Sequence, residues 1–192
     1  MYPLTRLQGI LFNPGQEWER IRDDKITNVQ VFLKYVIWVA ALPSIGYLIS
    51  VAKYENFLIN LRAAILSYVI ALVSVDLSAY LIHLSAPKFE AQKDVGRALK
   101  LVAFGATPVF VAGALNFIPI AGGILWLIGA AYCAFLFYLG LPLLLATPLY
   151  KLVPFLATAF VIFIGAYLVL LVVGGIVFEV RLIEIFTAAI LF

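Results

Sequence analysis

The chain has 192 residues, 65% of them hydrophobic and 12% charged, with a mean hydropathy of +1.11. That balance leaves too little polar side chain to cover a water-soluble globule, so lipid is the expected solvent. Its net charge of +3 comes from basic residues scattered over several loops, not from a dense block, which excludes nucleic acid as a partner. A single histidine, and a single cysteine (Cys133) inside an apolar run, exclude both the usual His/Cys metal clusters and an intrachain disulfide. The expected class is all-α and polytopic, with membrane lipids as the first partners and no cofactor or metal.

Residues 1–30 are too polar for a cleaved signal peptide, since Glu17, Glu19, Arg20, Arg22, Asp23, Asp24 and Lys25 crowd their second half. Asn13 before Pro14 reads as an N-cap followed by proline at the first helical position, with Glu17 and Glu19 in the early turns. A short amphipathic helix is expected there. Trp18 and Ile21 fall on one face of it, and Leu7, Ile10, Leu11 and Phe12 precede it with a similar apolar bias. Two placements fit, a helix lying along the bilayer surface or a lid over the ends of the spans, and both put Trp18 and Ile21 at the membrane interface.

Beyond this segment, residues 31–192 read as a membrane domain of five spans. The first covers about 31–51, with Lys34 and Trp38 near its start and Pro43 and Gly46 inside it. A short polar connection through Lys53, Tyr54, Glu55, Asn56 and Arg62 leads to the second span, about 63–84. Residues 85–97 form a basic, amphiphilic connector carrying Lys88, Glu90, Lys93, Asp94 and Arg97. Residues 101–150 then contain no Asp, Glu, Lys, Arg or His, and Lys100 and Lys151 stand at either end like posts. Asn116, Pro119, Gly122 and Gly123 should reverse the chain within this run, giving a third span near 98–115 and a fourth near 123–145. A turn with prolines on both sides of Lys151 precedes the fifth, about 154–178, which Glu179 ends. The tail, 180–192, holds Arg181 and Glu184 and is too short to cross alone, so it continues the last helix or lies in the interface.

Counting Lys and Arg on alternate sides of five spans gives a large asymmetry. The N-terminal side takes Arg6, Arg20, Arg22, Lys25, Lys34, Lys88, Lys93, Arg97, Lys100 and Lys151, leaving Lys53, Arg62 and Arg181 opposite. The positive-inside rule then places the N-terminus in the cytoplasm and the C-terminus outside or in a lumen. The expected location is the inner, or cytoplasmic, membrane.

Chemistry-bearing residues inside the spans are few. Asp76 lies within the second, where an ionisable group costs roughly 2.5–3.5 kcal/mol on insertion scales and should face protein or water. Tyr80 and His83 follow on the same helical face, with Ser67, Ser74 and Ser78 opposite. Asp76, Tyr80 and His83 could form a proton or cation relay, or Asp76 could be a packing node held by a tyrosine, threonine or asparagine of the central hairpin. Small residues and prolines, among them Gly105, Pro108, Gly113, Pro119, Gly140 and Pro142, mark close helix contacts or kinks, and Gly129 with Cys133 adds another pair at helical spacing. No His-Glu-x-x-His, Gly-x-Ser-x-Gly or phosphate loop occurs, and one intramembrane carboxylate cannot make an aspartyl dyad, so no enzyme is expected. A non-enzymatic organiser binding lipid, other membrane proteins or its own copies is the first reading, and an ion- or proton-coupled carrier or small channel the second.

The succession of features carries a resemblance. Pro14, Trp18 and Ile21 are followed by a polar loop and Gly96-Arg97-Ala98-Leu99-Lys100, then Thr107-Pro108, Phe117-Ile118-Pro119 with paired glycines, and Tyr138-Leu139-Gly140-Leu141-Pro142. Over roughly residues 10–178 this resembles the bacterial and archaeal branch of the Yip family, the Ypt/Rab-GTPase-interacting membrane proteins. The resemblance implies a five-helix membrane domain with a cytoplasmic N-terminus. Eukaryotic relatives have a longer cytosolic N-terminal region with an Asp-Leu-x-Gly-Pro type motif and act in vesicle traffic with prenylated Rab GTPases. Here Asn13-Pro14-Gly15 stands where that motif would be sought, which argues against a Rab-like small GTPase as partner.

Overall fold

A computed structural model describes residues 2–51, 57–115, 118 and 120–177. Among them, five helical stretches are long and apolar enough to cross a membrane: Asn28–Ile49, Ala64–Phe89, Val95–Gly113, Ala121–Leu145 and Leu149–Ile176. The protein is a multi-pass, all-α membrane protein. Four expectations fall outside the described residues: the connection through Lys53, Tyr54, Glu55 and Asn56, the Asn116 and Pro119 portion of the turn, Glu179 as the end of the fifth span, and the tail 180–192.

Two short helices come first, α1 (Tyr2–Phe12) and α2 (Pro14–Asp23). Proline begins α2 as its fixed φ favours, but Asn13 contributes no side-chain cap; it is exposed, and its amide bonds back to Gly9 while its carbonyl receives Glu17. The first span is capped instead by Thr27, whose hydroxyl receives the Gln30 amide at 3.3 Å while the Gln30 side chain receives the Thr27 amide at 3.2 Å. It runs as α3 (Asn28–Val31), a π-helical turn (Phe32–Val36) and α4 (Ile37–Val51). The wider turn carries Tyr35 into the core, where its hydroxyl meets Thr107 Oγ1 at 2.6 Å and its ring lies 4.3 Å from that of Phe104.

The second span lies on α5 (Phe57–Ser85), a helix that starts before the apolar stretch at Ala64 and takes in Arg62. A 3₁₀ turn (Ala86–Phe89) follows. The third span is broken in two, α6 (Val95–Gly105) and α7 (Thr107–Gly113), because Pro108 lacks the amide needed to continue the ladder and so sits in the first turn of a new helix. Asp94 caps α6 by accepting the Arg97 amide at 3.0 Å. The fourth span is α8 (Ala121–Leu145), with Pro142 inside it, and the fifth is α9 (Leu149–Val177). The fifth starts before Pro154, because Pro148 already supplies the break and an interior proline removes a single ladder bond. Lys151 therefore lies on the first turn of α9 and not in a loop.

α5 packs against α4, α6 and α9, and α8 against α6, α7 and α9. This leaves α6 and α7 most enclosed, from Ala98 and Leu101 through Phe104 to Phe110. One end of the bundle is sealed by the connector after α5. The Gln92 amide donates to Leu145 O at 2.7 Å and Arg97 Nη1 to Leu144 O at 3.1 Å, so carbonyls left open at the end of α8 are satisfied by an amide and a cation. Phe89 stacks on Phe155 of α9, 4.7 Å between centroids, and the Tyr150 hydroxyl donates to Glu90.

Candidate functional site

The N-terminal helices form the first polar cluster. α2 folds back on α1, and Arg6 bridges them through Glu17 at 2.7 Å and Asp24 at 2.6 Å. Glu17 is 3% exposed, with Arg20 as a second partner at 3.4 Å, so its charge is buried but paired. Lys100, expected as a boundary post, is 8% exposed inside α6 and donates to Ile21 O at 3.0 Å and Asp24 O at 2.5 Å. Its ammonium thus neutralises the carbonyl end of α2, which is why a charge can be enclosed there.

Trp18 and Ile21 are buried inside the protein, the Trp18 ring lying against Gly140 of α8. Tyr132, midway along α8, donates to Leu11 O at 2.8 Å. From Tyr132 to the end of α8 is about 20 Å at 1.5 Å per residue, so the turn between α1 and α2 reaches well into the bundle and α2 climbs back toward its sealed end. Backbone that does not span is tolerated at such depth where it is buried in protein.

The second cluster is the outer face of α5. Ile65, Val69, Val73, Asp76, Tyr80 and Leu84 recur every three or four residues and all are exposed, while Ala71, Ser74, Val75, Ser78, Ala79 and Ile82 are buried. Asp76 therefore points out of the bundle at the middle of the span, and no group among the described residues hydrogen-bonds or ion-pairs with it. The sequence expectation for this residue was that it faces protein or water. The face of α5 that packs is fixed instead by the small and β-branched residues opposite. Tyr80 is 53% exposed, with its ring 6.2 Å from that of His83. His83 is half-buried, and its Nδ1 is enclosed without a partner among the described residues. No hydrogen bond links the three. Of the serines opposite, Ser67 and Ser74 donate to carbonyls three residues earlier and Ser67 also meets Ser44 of α4 at 3.0 Å, while the buried Ser78 hydroxyl has no partner among the described residues.

No group of three or more His, Cys, Asp or Glu placed to hold a metal occurs among the described residues. Comparison with family models matches the Yip1 domain over residues 9–174. The chain belongs to the Yip1 domain family. No curated protein and no solved structure matches it. The match opens within α1 and closes near the end of α9, and so takes in Trp18, Lys100 and the α5 face of this Yip1 domain.

Within the Yip1 domain the small residues sit where backbones meet. A methyl group on Gly129 would lie 2.8 Å from the Pro108 carbonyl oxygen, and one on Gly140 would lie 2.6 Å from a Leu101 methyl and 3.0 Å from the Trp18 ring. Gly105 faces the Phe137 ring and Gly113 faces Pro43, while Pro108 makes the α6–α7 break and Pro142 lies within α8. Three features escaped the sequence reading. Thr27 and Gln30 carried a readable capping-box signature, the pairing of Glu17 with Arg6 has no spacing rule across a turn, and the π turn that buries Tyr35 has no signal in an apolar run.

Proposed function

We propose that this Yip1 domain is a non-enzymatic membrane-organising scaffold, of the bacterial and archaeal type its motifs resemble. It sits in the cytoplasmic membrane with the N-terminal hairpin and the 85–97 connector on the cytoplasmic side, and binds lipid and protein partners through its outer surface. The observation that carries the reading is the direction of Asp76. A relay needs its carboxylate on an internal path joined to other titratable groups, whereas Asp76 faces outward and no hydrogen bond joins it to Tyr80 or His83. An intramembrane charge turned outward supports recognition by another membrane component. The excess of Arg and Lys at the end that holds Arg20, Arg22, Lys88 and Lys93, against Arg62 at the other, supports this orientation.

The test is proton flux in vesicles reconstituted with the purified protein under an imposed pH gradient. Flux no greater than that of protein-free vesicles is expected. A leak in the wild type that disappears in Asp76→Asn would sink the scaffold reading and restore the carrier.

A further inference from the structure

Asp76 is not the only charge that this protein turns outward within a span. Lys34, in the π turn of the first span, is exposed, and no group among the described residues hydrogen-bonds or ion-pairs with it. The two lie on neighbouring antiparallel spans whose register is fixed by the Ser44–Ser67 hydrogen bond of 3.0 Å. Lys34 stands ten residues before Ser44 and Asp76 nine beyond Ser67, both counted toward the sealed end of the bundle. At about 1.5 Å per residue, the two opposite charges come to the same depth within roughly one helical turn. Within one chain they do not pair.

We propose that the protein self-associates in the membrane as a two-fold dimer, in which Asp76 of each copy pairs with Lys34 of the other. A two-fold axis along the membrane normal leaves every residue at its own depth, so the depth match inside one chain becomes a contact between copies, made twice. The flanking residues suit such a contact. Val69, Val73 and Tyr80 on α5, with Leu33 and Trp38 on the first span, are exposed and supply the van der Waals packing that drives helix association in lipid. Lipid tails would cover these apolar side chains equally well, but they offer nothing to either charge. The proposal rests on the scaffold reading and names one partner for its outer surface.

Energy transfer between donor- and acceptor-labelled copies in vesicles tests it through two charge variants. Asp76→Lys and Lys34→Asp should each weaken self-association about tenfold, the scale of one intramembrane polar contact, because like charges then meet. Mixed with each other, the two variants should recover transfer, since both cross-pairs are again of opposite sign. A residue needed only inside its own chain gives no such recovery. Because a new charge could harm folding, copies carrying Lys34→Cys are also mixed with copies carrying Asp76→Cys, which should form an oxidative cross-link between chains. Absence of wild-type transfer, failure of the mixture to recover, or absence of the cross-link overturns the interface. A flux measurement on the same vesicles bears on the scaffold reading alone, so the two failures are distinguishable.

Discussion

Glycines in this fold differ in what surrounds them, and the difference can be measured one residue at a time. Gly129→Ala pushes a methyl group into the Pro108 backbone carbonyl, which cannot move without bending the α6–α7 break, so a loss of about 1–3 kcal/mol is expected. Nothing lies within 4 Å of the corresponding position at Gly165, where alanine should be neutral or stabilise by up to about 1 kcal/mol through helix propensity. Unfolding midpoints of the two purified variants decide this, and equal shifts would contradict the close approach of α7 and α8. Asp76 gives the opposite kind of expectation. With no partner among the described residues to strand, Asp76→Leu should leave the stability of the single chain in detergent unchanged or higher, and a loss of about 1 kcal/mol or more, of the kind expected for a stranded buried partner, would contradict that placement.

At the scale of elements, the N-terminal hairpin is where sequence and structure part most. The start of α2 was legible from Asn13-Pro14 and its apolar face from the spacing of Trp18 and Ile21, but the hairpin's depth was not. Amphipathicity states that one face avoids water without saying whether lipid or protein receives it, and Lys100 looked like a boundary marker because the carbonyls it binds lie far away in sequence. Lys100→Met should therefore loosen α1 and α2 selectively. Hydrogen exchange is expected to rise in residues 2–24 while α5, α8 and α9 keep their protection, and the emission of Trp18, buried beside Gly140, should shift to the red and become open to quenchers. Unchanged exchange in residues 2–24 would show that apolar packing alone holds the hairpin.

For the whole molecule, the number and order of the spans were legible because twenty-residue apolar runs between charged loops admit few other readings. What those runs could not reveal is which side of α5 faces outward, since a span apolar all round carries no amphipathic signal. Impermeant thiol labelling of intact cells, with a cysteine at Gln92 or at Arg62, is expected to modify only the Arg62 position until the membrane is opened. Reaction of both from one side would contradict five spans, and exchange of the two results would invert the orientation. The surroundings of Asp76 bear most directly on the account as a whole. A nitroxide attached at Asp76→Cys in reconstituted vesicles reports collisions with oxygen, which partitions into lipid, and with a water-soluble nickel chelate. No collisions with the chelate are expected, the label meeting only lipid or a second copy; frequent collisions with it would place position 76 on an aqueous path and contradict the outward-facing scaffold.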